Sequence, residues 1–311
     1  MNFRQLEYIQ MIQKEGSISK AAQKLFISQS ALSQQLLKLE EEIGAPIFER
    51  GISPLRPTDL GEQYLQYVKR ILFEYEEANR LLEDMEHQKK SRLVVGIPTN
   101  RSTQILPGFL PRFMEDYPNI ELVFLEHPSF RLDEMLLNGE LDFSVLTSSP
   151  EHPQLAFVPL VREEIYLACQ RDSRLDRKYT GGKGWIDFRD CAEENFIMMK
   201  KGYRLYGEAK RLFSEYGIQP KEILHTGNVD LARRLAANGA GICLASKLPK
   251  ILNPLFPRPN YYSIGEKGIF WTLGISYYKD KYISFAMRLF FDRVREYLST
   301  YFPEDVIPPV K

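Results

Sequence analysis

The stretch that most limits how this chain can fold runs from Ser17 to Glu42. Ile18, Ala21, Ala22 and Leu25 have the spacing of a short helix, which Phe26, Ile27 and Ser28 interrupt. A second helical pattern begins at Gln29. Its apolar residues Leu32, Leu36, Leu39 and Ile43 step by four, three and four, so they share one face. The other face carries Gln29, Ser30, Ser33, Gln34 and Lys38. Ser28 stands where its hydroxyl can accept from the orphan amides of the first turn. Ala21 and Ala22 are small enough for two helices to cross closely. The pattern predicts a helix-turn-helix whose second helix is available for a DNA groove.

The flanking segments extend this reading. A first helix is predicted from Phe3 to Lys14, with Leu6, Ile9 and Ile12 or Tyr8 inward and Gly16 at its end. After Gly44, residues 45–50 read as a turn and a short extended piece, Gly51-Ile52-Ser53-Pro54 as a tip, and Leu55–Thr58 as the return. This is the shape of a small β-wing, on which Arg50 and Arg56 could reach phosphates. The first 58 residues hold seven Lys or Arg against six Asp or Glu, and the 311-residue chain has no net charge. DNA binding would therefore rest on placed contacts, not on a strong field. Glu40, Glu41 and Glu42 oppose the dipole at the far end of the second helix, so that end should point away from DNA.

Thr58 is a further N-cap, with Asp59 and Glu62 in the first turn behind it. The helix it starts is predicted to reach about Gln88. Tyr64, Val68, Ile71, Tyr75, Ala78, Leu82 and Met85 form a heptad seam along it, which suits dimerisation. At Arg92 the period changes, and strands begin to alternate with helices. Helices are expected at 104–117, 131–138, 205–216, 229–238 and 283–298, and 172–185 reads as a flexible loop. Segments 156–161 and 165–170 read as separate extended pieces. The alternation implies a mostly parallel, doubly wound arrangement in two lobes. The expected fold class is α+β and multidomain. Residues 1–58 form a winged helix-turn-helix and 59–91 a linker helix and hinge. Residues 92–302 form a two-lobed α/β domain, with lobe I about 92–161 and 269–302, lobe II about 162–268, and a tail at 303–311.

Ligands of open α/β sheets sit beyond the carboxyl ends of the strands. Those ends carry Thr99, Asn100, Arg101 and Ser102 after the first strand, Ser129 after the second, Thr147 after the third, and Lys200 and Gly202 in the second lobe. Hydroxyls and amides beside helix N-termini favour anions. Arg101 and Lys200 would add charge for a small, anionic effector. Gly239-Ala240-Gly241 follows a helix and opens a strand, the wrong order for a nucleotide turn. His87, His127, His152 and His225 show no metal spacing, and only His225 with Asp230 suggests a catalytic pair. Cys169, Cys191 and Cys243 form no C-x-x-C and are expected to be reduced and structural. No enzyme, metal or cofactor is expected. MNFRQLEYIQ lacks the apolar core of a signal peptide, and no run approaches the ~20 apolar residues that span a bilayer. A cytoplasmic protein without a membrane partner is expected.

The run from Leu6 through Gly61 resembles the N-terminus of LysR-type transcriptional regulators. The matching pieces are GSISKAA, SQSALSQQLLKLEEEIGAPIFER and LRPTDLG. The heptad helix and the two-lobed domain match the rest of such proteins. The resemblance implies a periplasmic-binding-protein-like effector domain and an operator-binding regulator modulated by a small-molecule co-inducer. It places Gln29, Ser30 and Ser33 in the groove. It also implies a homodimer assembling to a homotetramer. The expected partners are thus a double-stranded DNA operator, an effector, further copies of the chain and RNA polymerase. The other reading is a solute-binding or transport-associated protein, which the two lobes alone would suit.

Overall fold

The computed structural model describes residues 2–49, 51–52, 54–85, 91–147, 152–252 and 254–308. The chain divides into two units, Met1–His87 and Gln88–Lys311. In the first, helix α1 (Phe3–Glu15) opens with a capping box in which Asn2 and Gln5 satisfy each other's backbone amides. It ends at Gly16, whose φ of 58° is left-handed. Ser17 caps α2 (Ile18–Lys24) and Ser28 caps α3 (Gln29–Ile43). Leu6, Ile9 and Ile12 meet Ala21, Ala22, Leu32, Leu36 and Leu39 in one core, closed by Ile47 and Phe48. Helix α4 (Asp59–Met85) adds Leu65, Val68 and Leu72 to it.

The wing is held by backbone. Thr58 N donates to Ile47 O and Glu49 N to Arg56 O, both at 2.9 Å. Glu40 sits in the last turn of α3, next to the wing. It is buried, and its Oε1 accepts from Ile47 N at 2.7 Å and Phe48 N at 3.3 Å. It therefore fixes the chain where it leaves α3. Gly61 lets α4 approach this strand, because a Cβ there would lie 1.9 Å from the Ile47 carbonyl oxygen.

In the second unit β1 (Ser91–Ile97) lies between β2 (Ile120–Glu126) and β3 (Phe143–Thr147), all parallel. Helices α5 (Thr99–Asp116) and α6 (Ser129–Leu137) connect them. The sheet is mixed, not mostly parallel. Strand β4 (Leu155–Cys169) is continuous for 15 residues where two pieces were expected, and it carries the chain from one lobe to the other. Strand β10 (Ile269–Tyr278) returns antiparallel along it and pairs with β3.

Beyond this crossing β4 pairs with β8 (Cys243–Ser246) and β9 (Asn260–Ile264), and β9 with β5 (Trp185–Ile186). Strands β6 (Asn195–Met199) and β7 (Lys221–Thr226) form a parallel pair. Helices α8 (Arg204–Tyr216) and α9 (Val229–Ala237) flank them. The stretch read as a flexible loop holds α7 (Arg174–Tyr179), capped by Ser173 and closed by Leu175 in the lobe core.

Two segments fall outside their expected lobes. Helix α10 (Lys247–Leu252) sends Leu248 into the core of the first lobe, where α11 (Phe285–Ser299) also packs. The supposed tail is strapped to the crossing strand. Val306 forms an antiparallel bridge with Val161, and Arg162 N donates to Asp305 O at 2.8 Å. Apolar Phe302 and Val306 explain this, since both find the first lobe's core.

Gly61→Ala should lower the stability of the first unit by about 1–3 kcal/mol or more, because backbone must move to admit the methyl group. Urea unfolding of residues 1–87 monitored by circular dichroism reads this. An unchanged midpoint would contradict the packing of α4 on the wing.

Candidate functional site

Two surfaces carry candidate chemistry, one in each unit. On α3, Gln29, Ser30, Gln34 and Lys38 are exposed and Ser33 is half-buried. The Ser28 hydroxyl accepts from Ala31 N at 3.2 Å and lies 3.1 Å from Ser30 Oγ, which fixes the first turn. Gln29 and Gln34 make no side-chain hydrogen bond among the described residues. Their amides are available to a partner. Arg56 is exposed on the wing strand, and Arg50 lies outside the described residues.

The predicted seam on α4 needs one correction. Val68 is only 1% exposed and belongs to the core with Leu65 and Leu72, so it cannot face a partner. Tyr64 is half-buried against the same core. The exposed apolar stripe instead runs through Tyr67, Ile71, Tyr75, Ala78 and Leu82. Tyr75 stacks on Phe3 with centroids 4.3 Å apart. The Met85 side chain lies outside what is described.

The second surface is a cavity of about 60 Å³ between the lobes. Asn100, Arg101, Ser129 and Thr147 line it from the first lobe, as do Arg204 and Val229 from the second. Thr99, Ser102, Lys200 and Gly202 do not. Helix α5 starts at Thr99, five residues earlier than expected, and this turns Thr99 to solvent. Ser102 Oγ donates to the Thr99 carbonyl at 2.9 Å and to the Glu126 carboxylate. Lys200 is exposed in the turn after β6. Gly202 has φ of 93° and packs beneath Phe130, whose ring a Cβ would meet at 2.8 Å.

Arg101 is also not available as a ligand's charge partner. It is buried, and the Glu163 carboxylate takes both its amino groups, with Nη1 at 3.2 Å from Oε1 and Nη2 on Oε2. Glu163 further accepts from Trp271 Nε1 at 2.6 Å and Leu248 N at 2.7 Å. The Arg101 guanidinium is thus neutralised inside the protein. Sequence reasoning missed Arg204, Ser246 and Trp271, which line the cavity. Ser246 ends β8, the same kind of strand-end position as Thr147.

The cavity is rich in donors. Ser129, Thr147 and Ser246 are each more than nine-tenths buried, and their hydroxyls have no hydrogen bond among the described residues. Helices α5, α6 and α8 begin at Pro98, Pro128 and Tyr203 without a side-chain cap. Elsewhere α1, α2, α3, α7, α9 and α11 are capped by Asn or Ser. Uncapped first turns leave amide donors and the positive end of each dipole toward the cleft.

Two further bonds span the cleft beside the cavity among the described residues. Val229 N donates to Asn100 Oδ1 at 3.4 Å, and Arg204 Nη2 to Asp133 Oδ2 at 3.5 Å. Arg204 Nε and Asp133 Oδ1 are buried without partners. Each such atom costs about 1–3 kcal/mol. Burial raises the Asp133 carboxyl above its ordinary range, against the opposing pull of Arg204 and His152.

Other candidate chemistry disperses. His225 pairs with Glu222 at 3.0 Å while Asp230 pairs with Arg233 at 2.6 Å, so the suggested catalytic pair does not form. Cys169, Cys191 and Cys243 are free and buried, and burial pushes the Cys169 and Cys243 thiols up to about 12. Among the described residues no helix is long and apolar enough to cross a membrane.

Known proteins share both surfaces' frameworks. Residues 3–62 match the family described as bacterial regulatory helix-turn-helix protein, lysR family, and residues 86–299 match the LysR substrate binding domain. The HTH-type transcriptional regulator YcgK of Bacillus subtilis is 26% identical, over 98% of this chain and 97% of its own. A full-length OxyR variant from Pseudomonas aeruginosa has a similar fold, with a TM-score of 0.75 at 20% identity over 98% and 97% of the two chains. Full-length CbnR, solved in complex with its target DNA, gives 0.62 at 22% identity over 95% and 99%.

Removing one partner of a buried ion pair leaves the other charge uncompensated, at a cost of about 3–5 kcal/mol. Glu163→Ala should destabilise the second unit by this amount, read by chemical denaturation followed at Trp271. A loss below about 1 kcal/mol would mean that Arg101 finds solvent and that the pair does not organise the crossing.

Proposed function

The chain belongs to the LysR family of transcriptional regulators, and on that premise we propose that it reads an operator through α3 and changes its grip when a small molecule enters the interlobe cavity. The observation that carries the first half is the outer face of α3, where Gln29 and Gln34 stand exposed with no partner among the described residues. A glutamine amide can pair with adenine N6 and N7 together. Arg56 is exposed on the wing, where a phosphate contact would suit it, and the CbnR structure, of similar fold, is of a protein on its target DNA. The second half rests on Ser129, Thr147 and Ser246, largely buried residues whose hydroxyls have no hydrogen bond among the described residues and which line the cavity. The family is one of regulators, not enzymes or transport proteins, and the first unit has no place in a solute-binding protein.

The apolar stripe of α4 supports self-association, to a dimer and then a tetramer, because half-site spacing needs two linked heads. RNA polymerase is a further partner in this reading.

Titration of DNA from beside the protein's own gene, by fluorescence anisotropy, tests the assignment. Gln29→Ala should weaken operator binding by about 1–3 kcal/mol and leave random DNA unaffected. Arg56→Ala should weaken both and lower the salt slope by about one. Equal losses for Gln29→Ala on both DNAs would remove it from the groove. For assembly, Leu82→Asp should yield folded monomers by sedimentation, whereas Val68→Asp should unfold the first unit. A dimeric Leu82→Asp protein would exclude the stripe.

A further inference from the structure

Arg204 is the one cationic side chain at the interlobe cavity without a matched partner among the described residues, since Arg101 is held by Glu163. We propose that Arg204 receives the anionic group of the effector, a small carboxylate, and that Asp133 holds its guanidinium until the ligand displaces it. This rests on the cavity being the effector site.

The geometry of the pair points this way. Nε and Nη2 share one edge of a guanidinium, and a carboxylate placed on that edge makes two parallel bonds. Asp133 supplies half of this. Its Oδ2 lies 3.5 Å from Nη2, at the outer limit of a hydrogen bond, while Nε and Oδ1 remain buried and unmatched. Arg101 and Glu163 show what a matched pair looks like in the same cleft. Arg204 is the first residue of α8 and lines the cavity, whereas Asp133 lies one turn into α6 and does not. Asp133 therefore competes for Arg204 without occupying the ligand's place.

The surroundings set the ligand's chemistry. Ser129, Thr147 and Ser246 offer hydroxyls, and α5, α6 and α8 offer uncapped amides. These groups are satisfied by an acceptor that carries negative charge. Trp271, Leu205 and Pro249 give the remainder of the ligand an apolar wall. Ser129 and Thr147 belong to the first lobe and Arg204 to the second, so a carboxylate that bonds all three draws the lobes together. A neutral analogue of the same shape cannot use the Arg204 edge as an ion pair.

Binding of acetate and propionate, beside acetamide and propionamide, tests the proposal on the full-length protein through Trp271 emission. A Trp271→Phe variant identifies the contribution of Trp185. The acids should bind at least tenfold tighter than their amides. Asp133→Asn should tighten acid binding by fivefold or more, because it removes the competing charge. Arg204→Gln should weaken the acids tenfold and leave the amides unchanged. If Arg204→Gln does not fold, Arg204→Lys keeps the charge without the fork and should still lose several-fold. Unchanged or weaker acid binding by Asp133→Asn would overturn the exchange. Amides binding as tightly as acids would overturn the ligand class and leave the cavity as the effector site. No emission change with any probe in any variant would overturn both.

Discussion

The Glu163 carboxylate is the point on which the second unit depends. It sits on β4, one of the two strands that cross between lobes, and accepts from Trp271 on the other, β10. It also accepts from Arg101 in the first turn of α5 and from Leu248 N at the start of α10. Four elements are therefore held by one group with no solvent exposure. Burying a carboxylate is costly unless hydrogen bonds and an opposite charge replace its water, and here both are present. The arrangement places α5 so that Asn100 faces the cavity while the Arg101 charge is neutralised behind it.

What is left facing the cavity follows from that. Among the described residues, the hydroxyls of Ser129, Thr147 and Ser246 and the first two amides of α5, α6 and α8 are donors without protein acceptors. Pro98 and Pro128 suit this role. Proline fixes φ for the turn into the helix and brings no side-chain oxygen that would satisfy the orphan amides internally. The same helices carry Asp133, Phe130 and Arg204, the groups that meet across the cleft. Recognition and lobe contact are thus built from the same few turns.

The helix-turn-helix was legible because Leu32, Leu36 and Leu39 repeat at the helical period and Ser17 and Ser28 mark its starts. These signals are local. The errors came where a distant partner decides. Arg101 looked like a ligand's counter-charge because Glu163 is 62 residues away. Glu163 itself broke the apparent strand, since a carboxylate between Val161 and Ile165 interrupts an apolar run unless its buried partners are known. On α4 the heptad reading chose Val68, but the helix carries two apolar stripes. The core takes Leu65, Val68 and Leu72, and Tyr67, Ile71 and Tyr75 are left outside. In the cleft, strand ends pointed to Asn100, Ser129 and Thr147, which line the cavity. Thr99 missed because the helix begins directly after Pro98, and Arg204 was hidden by an emphasis on the turn before it.

In this reading the effector is held by the uncapped starts of α5, α6 and α8. Hydrogen–deuterium exchange of the intact protein, with and without the small acid that most raises its melting temperature, addresses this directly. Exchange should slow at the amides of residues 99–100, 129–130 and 204–205, which have no backbone acceptor, with the α5–α11 face at Gly108 and Tyr297 unchanged. Protection confined to that outer face, with the three helix starts exchanging as before, would contradict it.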